Sequence, residues 1–244
     1  MFETFIVLLF AHLIGDFVTQ SKWIVEQKNR SDVLFAHVAM HLALTAVFLG
    51  NMTSIPLAVI GVTHFAFDFA KARWGRGFSG FVVDQIGHVA VLIGVAIAFP
   101  TLYADGIWSE ASGLVPSDLG TLAANLYLPT LVVGSGLVAT LLAARFGIEI
   151  FMTSFTLDPS GQEDAGLPEG GLYIGLLERA LVFLFVMIGQ FTAIGFLIAA
   201  KSVLRFGVAN DRKMSEYVII GTLMSFGWAI ATASLTRIGL DALG

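Results

Sequence analysis

Long apolar runs separated by short polar segments dominate the chain. Residues 1–18, 33–50, 55–72 and 78–99 each approach the ~20 apolar residues that cross a bilayer as a helix. A polar stretch at 19–32, a short turn at 51–54 and a basic segment at 71–76 separate them, and Pro100 ends the fourth. The first run opens on Glu3, contains Asp16 and lacks a small-residue cleavage site, so it reads as a retained helix rather than a signal peptide. Beyond an acidic segment with Asp105, Glu110 and Asp118, a run at 121–144 holds Pro129, Gly134 and Gly136, and either spans or re-enters the membrane. Runs at 172–200 and 217–235 flank a basic stretch at 201–213. The pattern predicts an all-α, polytopic transmembrane helix bundle of about seven spans. Its expected divisions are a four-helix bundle over 1–100, an acidic loop over 101–120 and a carboxy-terminal region of about three helices over 121–244.

Composition excludes a water-soluble enzyme: 57% of the 244 residues are hydrophobic, 13% are charged, and the mean hydropathy is +0.85. With 13 Lys and Arg against 18 Asp and Glu there is no basic field for nucleic acid, and membrane lipids are the expected partners. The absence of cysteine excludes disulfides, thiolate ligands and iron–sulfur clusters, so a metal would be held by nitrogen and oxygen.

Basic residues are unevenly shared among the loops. Lys22, Lys28, Arg30, Lys71, Arg73 and Arg76 follow the first and third runs, and no Lys or Arg follows the second or fourth. The positive-inside rule then places the amino terminus outside. Seven full crossings would put Lys201, Arg205, Arg212 and Lys213 outside as well, against the same rule.

All five histidines fall within the first 88 residues, and each stands four residues from another histidine or an aspartate. The pairs are His12 with Asp16, His37 with His41, His64 with Asp68, and Asp84 with His88. Residues four apart share a helix face, so four helices present four pairs of potential ligands. With alternating helix direction the pairs lie at one depth, with His12, His41, His64 and His88 deeper and Asp16, His37, Asp68 and Asp84 shallower. His12-x-x-x-Asp16-Phe17 is echoed by His64-x-x-x-Asp68-Phe69, which predicts a duplicated helical hairpin in the bundle.

The bland reading is that these groups satisfy one another between helices. Against it, ionisable groups at hydrocarbon depth are costly and usually mark a site, and neutral histidines bring no charge to three aspartates. A divalent cation would. Imidazole and carboxylate without sulfur suit zinc, manganese or iron, as one or two ions. The expected ligands are His12, Asp16, His41, His64, Asp68 and His88, with Asp84 or His37 as general base. A haem centre fits less well, because haem does not call for three intramembrane aspartates.

In the second half, Glu178 and Arg179 are expected near the start of the sixth run, Glu178 capping the helix and Arg179 reaching the interface. Adjacent helical residues point about 100° apart, so each needs its own partner. Lys201 and Arg205, one turn apart, predict a basic face for a lipid or substrate phosphate.

His12-Leu-Ile-Gly-Asp16-Phe-Val-Thr-Gln20, His37 with His41, His64 to Lys71, and Asp84-Gln85-x-x-His88 resemble the membrane-protein family termed domain of unknown function 3307. The likeness covers about the first 100 residues. Gly175-Leu-Leu-Glu178-Arg179 and Ala200-Lys201-Ser202-Val-Leu-Arg205-Phe206 resemble a carboxy-terminal extension of longer members. The resemblance implies a multi-pass protein of a prokaryotic cytoplasmic membrane and supplies no activity. A looser likeness of pattern runs to inner-membrane metal-dependent hydrolases with His and Asp in their helices. The sequence therefore supports a metal-dependent hydrolase of a lipid-linked or phosphorylated substrate, with a metal-ion or proton-coupled transporter as the alternative. The absence of two inverted halves with matched broken helices favours the first.

Overall fold

The computed structural model describes residues 1–75, 77–109, 117–155, 169–205 and 212–244, with side chains at 117–124, 204 and 205 excepted. Every regular element among them is helical. They are α1 (Phe2–Leu13), continued by a π-helical turn at Ile14–Val18, α2 (Lys22–Gln27), α3 (Ser31–Leu49), α4 (Ser54–Trp74) and α5 (Gly77–Ala98). Then follow α6 (Ser117–Val138), a second π turn at Ala139–Ala143, α7 (Ala144–Met152), α8 (Gly170–Met187), α9 (Phe191–Arg205) and α10 (Arg212–Asp241). Among the described residues six helical segments, α3, α4, α5, Asn125–Met152, α8 and α10, are long and apolar enough to cross a membrane, which makes this a multi-pass membrane protein; α1 by itself is shorter than that length.

The chain forms two compact units, Met1–Val138 with Ala242–Gly244, and Ala139–Asp241. In the first, α1, α3, α4 and α5 close into a four-helix ring, each touching two others, and α6 packs on α1. Thr4, Ile6, Val7, Leu8, Ala11 and Leu13 of α1 are buried, as a helix surrounded by neighbours requires. Part of the expected acidic loop is an aromatic cap on this ring: Tyr103 and Trp108 stack against Tyr127, and the Trp108 indole donates to the Val47 carbonyl at 2.7 Å. Residues 110–116 lie outside the described residues.

Helical residues run unbroken through Pro129 and the Gly134, Gly136 pair to Met152. In the second unit α8 packs on α9 and α10, and α7 on α10. The run at 172–200 is not one helix. Gly189 adopts φ +73°, Gly189 N–H donates to the Val186 carbonyl at 3.1 Å and Gln190 N–H to that of Phe185 at 2.7 Å. That left-handed termination uses glycine's freedom to satisfy the last carbonyls, and unbroken hydrophobicity conceals it. It also shifts the frame for Glu178 and Arg179. They stand midway along α8, more than two turns from its start, so neither caps the helix, and Arg179 is buried against Ser225 rather than exposed at a helix end.

Candidate metal centre

The four His/Asp pairs point into the ring. All eight groups are between 1% and 6% exposed, a desolvation that isolated ionisable side chains would not survive. The repeat seen in sequence is one of motif and not of local geometry. Asp68 lies on regular α-helix, whereas Asp16 lies in the π turn, whose extra residue turns its carboxylate into the bundle axis.

Around Asp16 the donors converge. His41 Nε2 stands 3.1 Å from Asp16 Oδ1, His37 Nε2 3.4 Å and His64 Nε2 3.8 Å, and His37 Nε2 and His64 Nε2 are 3.4 Å apart. Four ligands bound tetrahedrally to zinc at 2.0–2.1 Å would stand ~3.4 Å from one another. Asp16, His37, His41 and His64 thus have the donors and the spacing of a three-histidine, one-carboxylate site. His64, Asp68 and His88 form a second group of adjacent donors that shares His64. His88 Nδ1 donates to the Asp84 carbonyl at 2.8 Å, which leaves its Nε2 as the lone pair, buried and without a partner.

His12 lies outside both groups. Its Nε2 meets the Gln85 side-chain oxygen at 3.4 Å, the Gln85 amide donates to Asp16 Oδ2 at 2.9 Å, and its ring stacks on His88 at 5.1 Å. Gln85 therefore links His12 to Asp16 and holds that carboxylate's second oxygen. Asp84 Oδ2 accepts from Gln85 at 3.2 Å, while its Oδ1 is buried without a hydrogen bond, 3.6 Å from His88 Nδ1.

Three aspartates at this depth were expected to need a metal for charge. Two have lysines. Lys28 Nζ donates to both oxygens of Asp68 at 2.9 Å, and Lys71 Nζ to Asp84 Oδ2 at 2.6 Å. Turned to satisfy its neighbours, the Gln20 amide accepts from Lys28 at 2.6 Å and donates to the Asp16 carbonyl. By sequence alone both lysines are loop charge, because nothing in their spacing shows that they bend back into the bundle. Gln20 and Gln85 lie inside the His/Asp motifs, but a neutral amide at those positions carries no signal in sequence that it bridges charged groups. Three negative and two positive charges leave one negative, and it falls on Asp16, which has no lysine or arginine among its described partners.

The structure also places space around the site. A cavity of about 10 Å³, enough for one water, is lined by His12, His41, His64 and His88 on the side facing Leu8, Ile60 and Leu92. A larger pocket of about 340 Å³ opens between α4 and α5, walled by Phe67, Ala70, Trp74 and Val83, with Lys71 and Asp84 at its polar end. Lys201, expected on a basic face with Arg205, lies in the second unit and pairs with Glu178 Oε2 at 2.5 Å; the Arg205 side chain is outside the described residues.

No curated protein and no solved structure matches the chain. The matched family region ends at residue 110, so the carboxy-terminal likeness has no counterpart in it. Residues 4–110, which hold all five histidines and the three aspartates of the ring, match the family described as protein of unknown function (DUF3307).

Proposed function

We propose that the ring holds one divalent metal ion between Asp16, His37, His41 and His64, and that the protein is a metal-dependent membrane hydrolase of a lipid-linked or phosphorylated substrate. The convergence of three imidazole nitrogens on one Asp16 oxygen carries this reading. Three neutral nitrogens and a carboxylate suit zinc first, with manganese or iron as substitutes. Charge favours one ion over two: a single divalent ion turns the net charge of minus one into plus one, a second would make it plus three.

A divalent ion supplies Lewis acidity, lowering the proton affinity of water and polarising a phosphoryl or carbonyl oxygen. The chain's own residues supply the rest. Asp84, which lines the larger pocket and has its Oδ1 buried without a hydrogen bond, would take a proton, and Lys71 beside it would meet a phosphate oxygen. His88 and Asp68 flank the ion site, and Gln85 with His12 orients Asp16, as hydrogen-bonded partners of metal ligands commonly do. His37 enters this scheme as a ligand and not as the base. The apolar walls of the larger pocket suit an acyl or prenyl chain better than a hydrated ion, which favours hydrolysis over transport. With the amino terminus outside, that pocket faces the cytoplasmic half of the membrane.

The test is metal content and turnover in the detergent-purified protein. One equivalent of metal, lost in Asp16→Ala, together with metal-dependent cleavage of a lipid-linked phosphoester, is the expected result. Full metal occupancy with no cleavage, and metal-dependent ion flux in proteoliposomes, would establish the transporter instead.

A further inference from the structure

The second unit carries its own buried charges, which the metal centre does not use. Lys201 neutralises Glu178. Arg179, 5% exposed and midway along α8, hydrogen-bonds only to neutral groups. Its Nη1 donates to Ser225 Oγ at 3.2 Å and its Nη2 to the Leu141 carbonyl at 3.3 Å, while its Nε is buried with no partner. Leu141 lies in the second π turn, where a widened ladder makes a carbonyl available to a side-chain donor. Arg145 follows it by four residues, at the start of α7, which touches α8, and its Nε is also buried without a hydrogen bond. Among the described residues no carboxylate lies within 4.0 Å of either guanidinium. Glu178, Lys201, Arg145 and Arg179 together carry two positive charges in excess, and Glu149, one turn beyond Arg145, is exposed and makes no ion pair among the described residues, an arrangement that is costly unless an anion answers it.

We propose that Arg145, Arg179 and Ser225 form a binding site for a phosphate-bearing anion. A guanidinium edge of Nε–H and an adjacent N–H matches two oxygens of one phosphate, a geometry a spherical halide cannot use. Ser225 accepts from Arg179, and its own hydroxyl hydrogen remains available to a further oxygen. Two positive charges match a phosphate monoester or free phosphate, or a phospholipid diester with charge to spare. The occupant is a phosphate group, delivered either by a membrane lipid or from solution.

The full-length protein, purified in a phosphorus-free detergent, distinguishes the sources. A lipid occupant gives about one equivalent of retained organic phosphorus that exchanges with phosphatidylglycerol vesicles. A free-phosphate occupant gives saturable binding of radiolabelled orthophosphate. Either should weaken by about ten- to a hundredfold, the worth of one charged hydrogen bond, in Arg145→Gln, whose half-buried side chain tolerates replacement. Arg179→Lys, which keeps the charge and loses the fork, should show a similar loss with its melting temperature retained. Native protein that retains no phospholipid and binds no orthophosphate overturns the site, as does unchanged binding in Arg145→Gln. Metal content should be unaffected in both variants, so the outcome is independent of the metal centre.

Discussion

Gly15 makes room for His41: a β-carbon at Gly15 would stand 2.2 Å from His41 Cε1 and 2.4 Å from Nε2, the nitrogen that faces Asp16. Gly15→Ala should therefore displace the imidazole and weaken metal binding by at least about tenfold, the lower end of what mispositioned ligands lose. Local helix propensity would rise by about 1 kcal/mol, so loss of metal without loss of fold separates this effect from unfolding. Metal analysis after dialysis, beside a thermal melt, measures both.

The residual charge on Asp16 gives a second expectation. Asp16→Asn should abolish retention of the ion, whereas Asp68→Asn, which removes a carboxylate already answered by Lys28, should leave about one equivalent. Equal losses in the two variants would point to two ions.

Lys28 and Asp68 are buried together, with side-chain exposures of 11% and 1%. Lys28→Met should cost about 3–5 kcal/mol by leaving Asp68 unpaired, and Lys28→Met with Asp68→Asn should recover most of it. Denaturation of the four members of this cycle in one detergent gives the interaction energy.

Asp84→Asn should retain the metal and abolish turnover, because the amide cannot take the proton assigned to the carboxylate. Lys71 loses its partner but lines the open pocket and can turn toward it, so the fold should hold. Metal content and hydrolysis rate measured on one preparation decide the point. In a transporter the same variant would instead alter the pH dependence of flux.

The chain has no cysteine, so single replacements report topology cleanly. Asn29→Cys, in the loop after α2, should react with an impermeant maleimide only after permeabilisation, and Met52→Cys, 81% exposed between α3 and α4, should react in intact cells. The reverse pattern would place the amino terminus inside.

The spans of the first unit were legible because apolar runs of membrane length, punctuated by polar turns, leave the backbone no alternative to helix. The four His/Asp pairs were legible for a related reason. A polar group in an apolar helix must face inward, and i, i+4 spacing sets two on one face. In the second half the same signal misled at 172–200, because a left-handed glycine ends α8 without any change in hydropathy. Glu178 and Arg179 were misplaced as a consequence.

Sequence by itself determined that this is a helical membrane protein and that its histidines and intramembrane aspartates share one layer, since both follow from local spacing and the cost of polar groups in hydrocarbon. Only the tertiary structure decided which donors meet. The π turn aims Asp16 at His37, His41 and His64, Gly15 admits His41, and Gln85 draws His12 aside. It also turned Lys28 and Lys71 from loop charges into partners of Asp68 and Asp84, 40 and 13 residues away. Such pairings depend on how helices rotate and close into a ring. That geometry is set by packing between segments distant in the chain, which no local pattern encodes.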